Sequence, residues 1–582
     1  MKKLKIILFA LLIGFVSCDD DDDTTDPTLT VNEVTDNITS NTTWETNNVY
    51  IINSSLCIDG ATLTIEAGTI IKFKEGAQIE VGSSETGSAI IANGTSDDPI
   101  LFTAYAATPS AGDWDAIFFD SGTASTTNLA YCTFEYGGGY SSSYGTIHLS
   151  DAEITMTNCT IKNSDSYGIS LNSKSKFKSF INNNINTTSS HVIRLYPNAA
   201  HTIGTGNIFE TINSSIGILV AGGTYNQANE TWLAQTVSYI IDGTMDIESN
   251  SGSILNIEEG TTIGFTNGSQ IEVGSSSSTY GTIIAIGTAT NPIIFTSSAT
   301  SKTAGDWDAI FLEDGTSNSS AFTYCTFEYG GGYSSSYGSI NLDYCSVAFN
   351  NCTITNSESY GISLNSESSF VSFDNNAFSS IADHPIKLYA NYAHTIGTGN
   401  TYDSNLGILV KGDTYEQASE TWKKQSCAYY IDGTMYIESS NGSELIIEAG
   451  SKIYFTQGSQ LEIGSSSSTY GKLVAQGTAE ERIIFTSSAP VGSASKGDWD
   501  VIFFESGTSA GTIIDNCDMS YGGGYSSTYG MIDLSETGTN VTISNSTISH
   551  SASHGISVDN NSFPSIINVT YNDIDGNDYH IK

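Results

Sequence analysis

Apolar and polar residues alternate along this chain in runs too short for helices. Thr62-Leu-Thr-Ile-Glu66, Thr69-Ile-Ile-Lys-Phe73, Gln78-Ile-Glu-Val81, Ser88-Ala-Ile-Ile91 and Pro99-Ile-Leu-Phe-Thr103 follow one another, separated by Gly, Asn and Ser turns. A period of two places successive side chains on opposite faces of an extended segment, so each run predicts a strand of about 4–6 residues with one buried face. No stretch sustains a 3.6-residue period over roughly twelve residues, the minimum for a convincing helix.

The strands recur with a longer beat. Asn158-Cys-Thr-Ile161 is followed 24 residues later by Asn182-Asn-Asn-Ile185, and Cys132 precedes Cys159 by 27, one such beat plus a small insertion. Asn351-Cys-Thr-Ile354 and Asp374-Asn-Asn-Ala-Phe378 repeat the theme. Three short strands per beat of about 24 residues predict an all-β parallel β-helix, a solenoid whose coils bury their Ile, Val and Leu only by stacking. Right-handed winding follows from the usual chirality of parallel crossovers. Roughly 22 coils rising about 4.8 Å each would give a rod on the order of 100 Å long. Asn at the turns is expected to stack into ladders that satisfy buried backbone groups.

A third periodicity is larger still. GDWD occurs at Gly112–Asp115, Gly305–Asp308 and Gly497–Asp500, so Trp114, Trp307 and Trp499 fall 193 and 192 residues apart. YGGGYSS follows each copy, at Tyr136–Ser142, Tyr329–Ser335 and Tyr521–Ser527. Trp44, Trp232 and Trp422 mark the unit starts and complete the 6 tryptophans of the chain. The expected organisation is 1–17 signal peptide, 18–34 acidic tether, and three β-helix units of about 190 residues at 35–222, 223–412 and 413–582. The third is short, ending at Tyr579-His-Ile-Lys582 where the first two continue past His191–Arg194 and His384–Lys387. That ending reads as a truncation, because an uncapped last coil would leave an open sheet edge. Whether the units form one uninterrupted rod, or segments kinked at Trp232 and Trp422, stays open.

Charge narrows the partners. Asp and Glu number 63 against 20 Lys and Arg, a net charge of −43. Such a field repels nucleic acid and anionic membranes, and acidic polysaccharides unless a cation such as Ca²⁺ intervenes. The chain reads as a monomer without an evident cofactor, Ca²⁺ being the one that its carboxylates could take. Of the 9 cysteines, Cys132 and Cys159 match Cys325 and Cys352, but the third unit pairs Cys517 with Ser546. A disulfide framework would not lose one partner, so these residues are expected to form a ladder of small buried side chains.

Lys2, Lys3 and Lys5 precede an apolar run, Ile6 to Val16, which is too short to anchor in a bilayer and ends at Ser17-Cys18. The pattern resembles a bacterial lipobox, which implies cleavage and lipidation (palmitate among the acyl groups) at Cys18. Phe15 stands where Leu is usual. The five aspartates Asp19–Asp23 are a solvated tether in any reading. They also resemble the export signal of Bacteroidota-type surface lipoproteins, which implies attachment to the outer membrane, facing the exterior.

From about residue 35 onward the chain resembles the right-handed parallel β-helix repeat proteins of bacterial cell surfaces, a fold shared with pectate-lyase-like proteins. Thr43-Trp44, Tyr50-Ile-Ile52, Ala61 to Ile71, Asp98 to Thr103 and Gly112–Asp115 carry the likeness, and Arg482 departs from it where Pro99 and Pro292 stand. The resemblance implies the fold; function has to be read from the site.

Two constellations could carry chemistry. Asp113, Asp115 and Glu135 recur as Asp306, Asp308 and Glu328, and the aspartates again as Asp498 and Asp500. Paired carboxylates could hydrolyse a glycoside and the aspartates are weak metal candidates, but capping of a turn accounts for them more simply. A lyase needs a base. His191 with Arg194 and His384 with Lys387 are the best pairs, yet i, i+3 spacing puts their members on opposite strand faces. His201 and His394 are further candidates, and a strand-end histidine bonded to backbone is the simpler account of all of them.

The aromatic residues offer more. Trp114 with Tyr136, Tyr140 and Tyr144, Trp307 with Tyr329, Tyr333 and Tyr337, and Trp499 with Tyr521, Tyr525 and Tyr529 form three clusters around glycines. Tyrosines that keep a ring face and a hydroxyl available suit sugar rings; packing against one another is the competing account. Eight coils per unit would space the clusters by roughly 38 Å. The reading is a surface lipoprotein whose β-helical ectodomain is a binding or adhesion scaffold for glycans. It leans away from an enzyme and designates no catalytic residue. A polysaccharide lyase or glycoside hydrolase is one alternative, a spacer without ligand the other.

Overall fold

The computed structural model describes residues 29–572 apart from 212, 214, 404–405, 535–540, 560–561 and 563. The signal segment, Cys18, the aspartate run and Tyr579–Lys582 lie outside the described residues. The fold is an all-β parallel solenoid of about 20 turns with almost no helix.

One coil shows how the sequence makes a turn. Glu153–Thr157, Thr160–Ser164 and Tyr167–Leu171 are its three strands, and each pairs in parallel with its counterpart in the next coil. Thr133 lies opposite Thr160, Thr160 opposite Asn184, and Asn184 opposite Ile208, so the steps are 27, 24 and 24 residues. The beat in the sequence is therefore one winding. Within each strand the alternating pattern points Ile154 and Met156, Ile161, and Ile169 and Leu171 inward, all fully buried. A single hydrophobic cluster runs from Ile38 to Ile556. Each such side chain contributes about 1.5–3 kcal/mol on burial, but only because the coils above and below cover it.

Polar atoms at the corners are met by a column of side chains. Cys132 N–H donates to Cys159 Sγ at 3.4 Å, Cys159 N–H to Asn183 Oδ1 at 2.9 Å, and Asn183 N–H to Asn207 Oδ1 at 3.0 Å. Asn183 Nδ2 returns a bond to the Met156 carbonyl at 2.9 Å. Cys352, Asn376 and Asn400 repeat the column. In the third copy Ser546 Oγ accepts from Cys517 N–H at 3.1 Å. The expected ladder of small side chains is present, the cysteines among the described residues are free, and serine replaces cysteine because either supplies one compact acceptor.

One face of the solenoid stays paired through the Trp232 and Trp422 regions, while on another the ladder breaks, Lys176–Ile181 and Glu230–Trp232 belonging to separate sheets, as do Ser369–Asp374 and Glu420–Trp422. Ile193, Ile218, Tyr239 and Ile263 are successive partners at the first, and Ile408, Tyr429 and Ile453 at the second. Trp232 and Trp422 sit in the core there, each 1% exposed. Two short helical turns, Pro197–Ala200 and Ala390–Thr395, occupy equivalent places.

Candidate functional site

The two repeated strings fit together. Gly138 N–H donates to the Asp115 carbonyl at 2.8 Å and Gly139 N–H to that of Trp114 at 3.0 Å. A Cβ on Gly137 would lie 2.8 Å from the Trp114 ring, and one on Gly139 only 2.3 Å from the Gly112 carbonyl oxygen. The triple glycine is thus required by close approach to the GDWD turn. Gly330 and Gly522 meet Trp307 and Trp499 in the same way.

This mating corrects part of the aromatic platform. Trp114, Trp307 and Trp499 are completely buried, stacked on Phe73, Phe265 and Phe455 at 4.2, 4.4 and 4.4 Å. Their indoles present no face to a sugar; adjacency in sequence to exposed tyrosines concealed an inward strand position. Tyr136, Tyr329 and Tyr521 are half-buried at positive φ beside the same corner. Six tyrosines remain: Tyr140 and Tyr144, Tyr333 and Tyr337, Tyr525 and Tyr529.

These six gather around a residue that the sequence reading missed. Phe118 projects outward between the inward Ile117 and Phe119, and Tyr140 and Tyr144 pack edge-on against it at 5.1 and 5.8 Å. Phe311 receives Tyr333 and Tyr337 at 5.1 and 5.7 Å, and Phe503 receives Tyr525 and Tyr529 at 5.2 and 5.4 Å. Tyr140, Tyr333 and Tyr525 are each 52% exposed. The aromatic cradle is therefore open on one side in all three copies.

Register defines the remaining lining. The outward row of the first copy is Glu80, Phe118, His148, Ser170 and Arg194 on successive coils. The second is Glu272, Phe311, Asn341, Ser363 and Lys387. The third is Glu462, Phe503, Asp533 and Ser557. Grooves of ≈ 310 Å³ and ≈ 280 Å³ open over the first and second rows. Seven strand pairings separate Phe118 from Phe311, one fewer than expected, or about 34 Å along the axis.

Electrostatics differ along each groove. His148 Nδ1 lies 2.8 Å from Ser170 Oγ, and its ring meets Tyr144 edge-on at 4.4 Å. Burial first, then the Arg194 charge, pull its pKa down to about 4, so the ring is neutral near pH 7. In the second groove burial pushes Glu313 up to about 7, and Glu272, Asp343 and Glu248 add to the shift.

The carboxylates considered from sequence do not converge. Asp113 Oδ2 accepts from Ser110 N–H at 2.9 Å, Asp306 caps Thr303, and Asp498 caps Ser495. Burial raises Asp115, Asp308 and Asp500. Glu135 is held by Lys162 at 2.9 Å and by the Thr103 hydroxyl at 2.8 Å. Among the described residues no three His, Cys, Asp or Glu side chains gather as metal ligands. His191 accepts a bond from Gly217 N–H, and His384 Nδ1 lies 2.7 Å from the Gly407 carbonyl. Arg194 and Lys387 line the grooves, whereas His191 and His384 do not.

Residues 36–153 and 223–374 match the family model of the pectate-lyase like beta helix domain. Together with the parallel ladders above, these matches support a β-helix repeat fold. No curated protein matches it significantly. A solved structure, the crystal structure of Agl-KA catalytic domain, aligns at 12% identity over 90% of this chain and 62% of its own, with a TM-score of 0.13. The chain thus spans less than two thirds of that structure, and nothing rests on so loose a superposition.

Proposed function

We propose that this protein is a glycan-binding scaffold displayed on the outer face of a bacterial outer membrane through a lipid on Cys18. The three aromatic cradles hold successive stretches of one polysaccharide. One observation carries the reading: the same half-open cradle of one phenylalanine and two tyrosines recurs three times on a stiff support, each beside hydroxyl and charged side chains. Sugar rings stack on such faces while their hydroxyls reach the polar rim. Three weak sites on one rod gain affinity through avidity. Replacing Tyr140, Tyr333 and Tyr525 together by Ala should weaken polysaccharide pull-down while leaving the melting temperature within a few degrees. Undiminished binding would end the proposal.

A second reading is favoured by Glu313. A carboxyl titrating near 7 beside Glu272 and Asp343, on the wall of the Tyr333 groove, is the kind of group that protonates a leaving glycosidic oxygen. If the second groove hydrolyses its glycan, new reducing ends will form and Glu313→Gln will abolish them. Binding without product at any pH from 5 to 8, roughly the range in which that carboxyl changes charge, leaves the scaffold reading alone.

A further inference from the structure

The three outward rows share a glutamate, the cradle phenylalanine and a serine, and differ at the residue between phenylalanine and serine and, in the first two, at the cation that follows. The strings Tyr144-Gly-Thr-Ile-His148-Leu, Tyr337-Gly-Ser-Ile-Asn341-Leu and Tyr529-Gly-Met-Ile-Asp533-Leu place His, Asn and Asp in the same register, between the cradle phenylalanine and a serine of the next coil. We propose that the three grooves bind different sugars and that His148, Asn341 and Asp533 set the difference, making the rod a binder of mixed rather than identical sites. The proposal rests on the glycan-binding reading above.

The position is anchored alike in each copy. His148 bonds Ser170, the Ser363 hydroxyl donates to Asn341 Oδ1, and the Ser557 hydroxyl donates to Asp533 Oδ1. All three are nearly buried, at 9, 4 and 3% exposure. What they leave at the groove floor is not alike. The His148 ring fills the space under Tyr144 as a neutral aromatic edge. Asn341 turns its polar atoms back into the fold: Oδ1 accepts from Gly338 N–H at 2.8 Å and Nδ2 donates to the Gly338 carbonyl at 3.0 Å. Asp533 brings a carboxyl group to the same floor.

The flanking charges amplify the contrast. The first groove ends in Arg194, one of two arginines in the chain, which lies over Tyr196 at 5.5 Å and, among the described residues, makes no ion pair. Several other cations sit against carboxylates, as Lys162 does on Glu135 and Arg482 on Asp518, while Lys387 of the second groove donates to the Ser336 carbonyl at 3.1 Å. A guanidinium without a carboxylate, in a chain of net charge −43, favours an anionic substituent. The glutamate before the phenylalanine is common to the three rows (Glu80, Glu272 and Glu462), so the third differs by the carboxyl of Asp533. That added acid disfavours anions and suits neutral or amino sugars.

Single-groove proteins test this directly. Tyr333→Ala with Tyr525→Ala leaves the first groove, and Tyr140→Ala with Tyr333→Ala the third. Each is titrated calorimetrically with three hexasaccharides: cellohexaose, its sulfated form, and a glucosamine hexamer. The first groove should prefer the sulfated over the unsulfated probe by about tenfold or more, and the third should reverse that order. His148→Asp should remove the preference of the first. Asp533→Asn, which keeps shape, should lessen the discrimination of the third. Identical rankings by the two proteins would overturn the inference while leaving the glycan-binding reading intact; no binding of any probe by the unmodified protein would overturn both.

Discussion

The indole of Trp114 donates its Nε1 proton to the backbone carbonyl of Glu135 at 2.9 Å. Trp307 does the same to Glu328 at 2.9 Å, and Trp499 to Ser520 at 2.8 Å. The acceptor is a main-chain atom, so the bond survives replacement of Glu by Ser. It locks the turn carrying GDWD to the coil whose next residues are the triple glycine. The exposed tyrosines thereby leave the solenoid from a fixed point.

Gly137→Ala should accordingly be costly although the change is a single methyl. The added carbon would overlap the Trp114 ring, displacing it from Phe73. A loss of about 1–3 kcal/mol is expected, read as a lower midpoint in denaturant, together with weaker glycan binding by the first groove. An unchanged midpoint would mean that the indole has room to move.

Asn183 and Asn376 each satisfy a buried N–H and a buried carbonyl of the preceding coil. Asn183→Leu fits the volume approximately and abandons both partners. The expected cost is about 2–5 kcal/mol, one unmet donor and one unmet acceptor. Equilibrium unfolding would show it. A change under roughly 0.5 kcal/mol would remove the column from the account of stability.

Cys159→Ser should be nearly silent. The third copy already carries Ser546 in that place, donating to the Ser544 carbonyl at 2.7 Å and accepting from Cys517 N–H. Thermal midpoints of the variant and the parent should agree within about 2 °C, whereas Cys159→Leu should lower the midpoint by overpacking.

Two groups should tilt stability with pH in opposite directions. His148 binds its proton less tightly when folded than when unfolded. Between its ordinary pKa of about 6.5 and the folded value of about 4 the unfolded chain holds more protons, so stability falls as pH drops. The loss is at most about 3 kcal/mol by pH 4, and His148→Asn should flatten it. Glu313 has the reverse sense: its folded pKa of about 7 is raised, so stability falls as pH rises from about 4.5 to 7. Glu313→Gln should therefore stabilise the protein at pH 8 and change little at pH 4. Midpoints measured across the pH range for each variant would show a missing or inverted slope directly.

Fold was legible in the chain because a parallel β-helix is written locally. Two-residue alternation fixes which side chains face the core, and the 24-residue beat fixes which strands stack. Cys517 and Ser546 even disclosed the ladder before its bonds were visible, since a serine can replace an acceptor but not a disulfide partner. The aromatic site was only half legible. GDWD and YGGGYSS announced a shared feature, yet the tryptophans proved to be its foundation and Phe118, Phe311 and Phe503 its floor. The clue lay in the strings ending at His148, Asn341 and Asp533, where otherwise matching copies diverge.

Only the winding decided which residues meet. Phe118, His148, Ser170 and Arg194 span 76 residues of sequence but occupy four consecutive rungs. Periodicity in one dimension tells which face a side chain takes. The extra residues looped out of each coil set how far the register advances, and so which outward side chains share a groove. Those loops vary in length without disturbing the buried alternation, so the core pattern cannot report them.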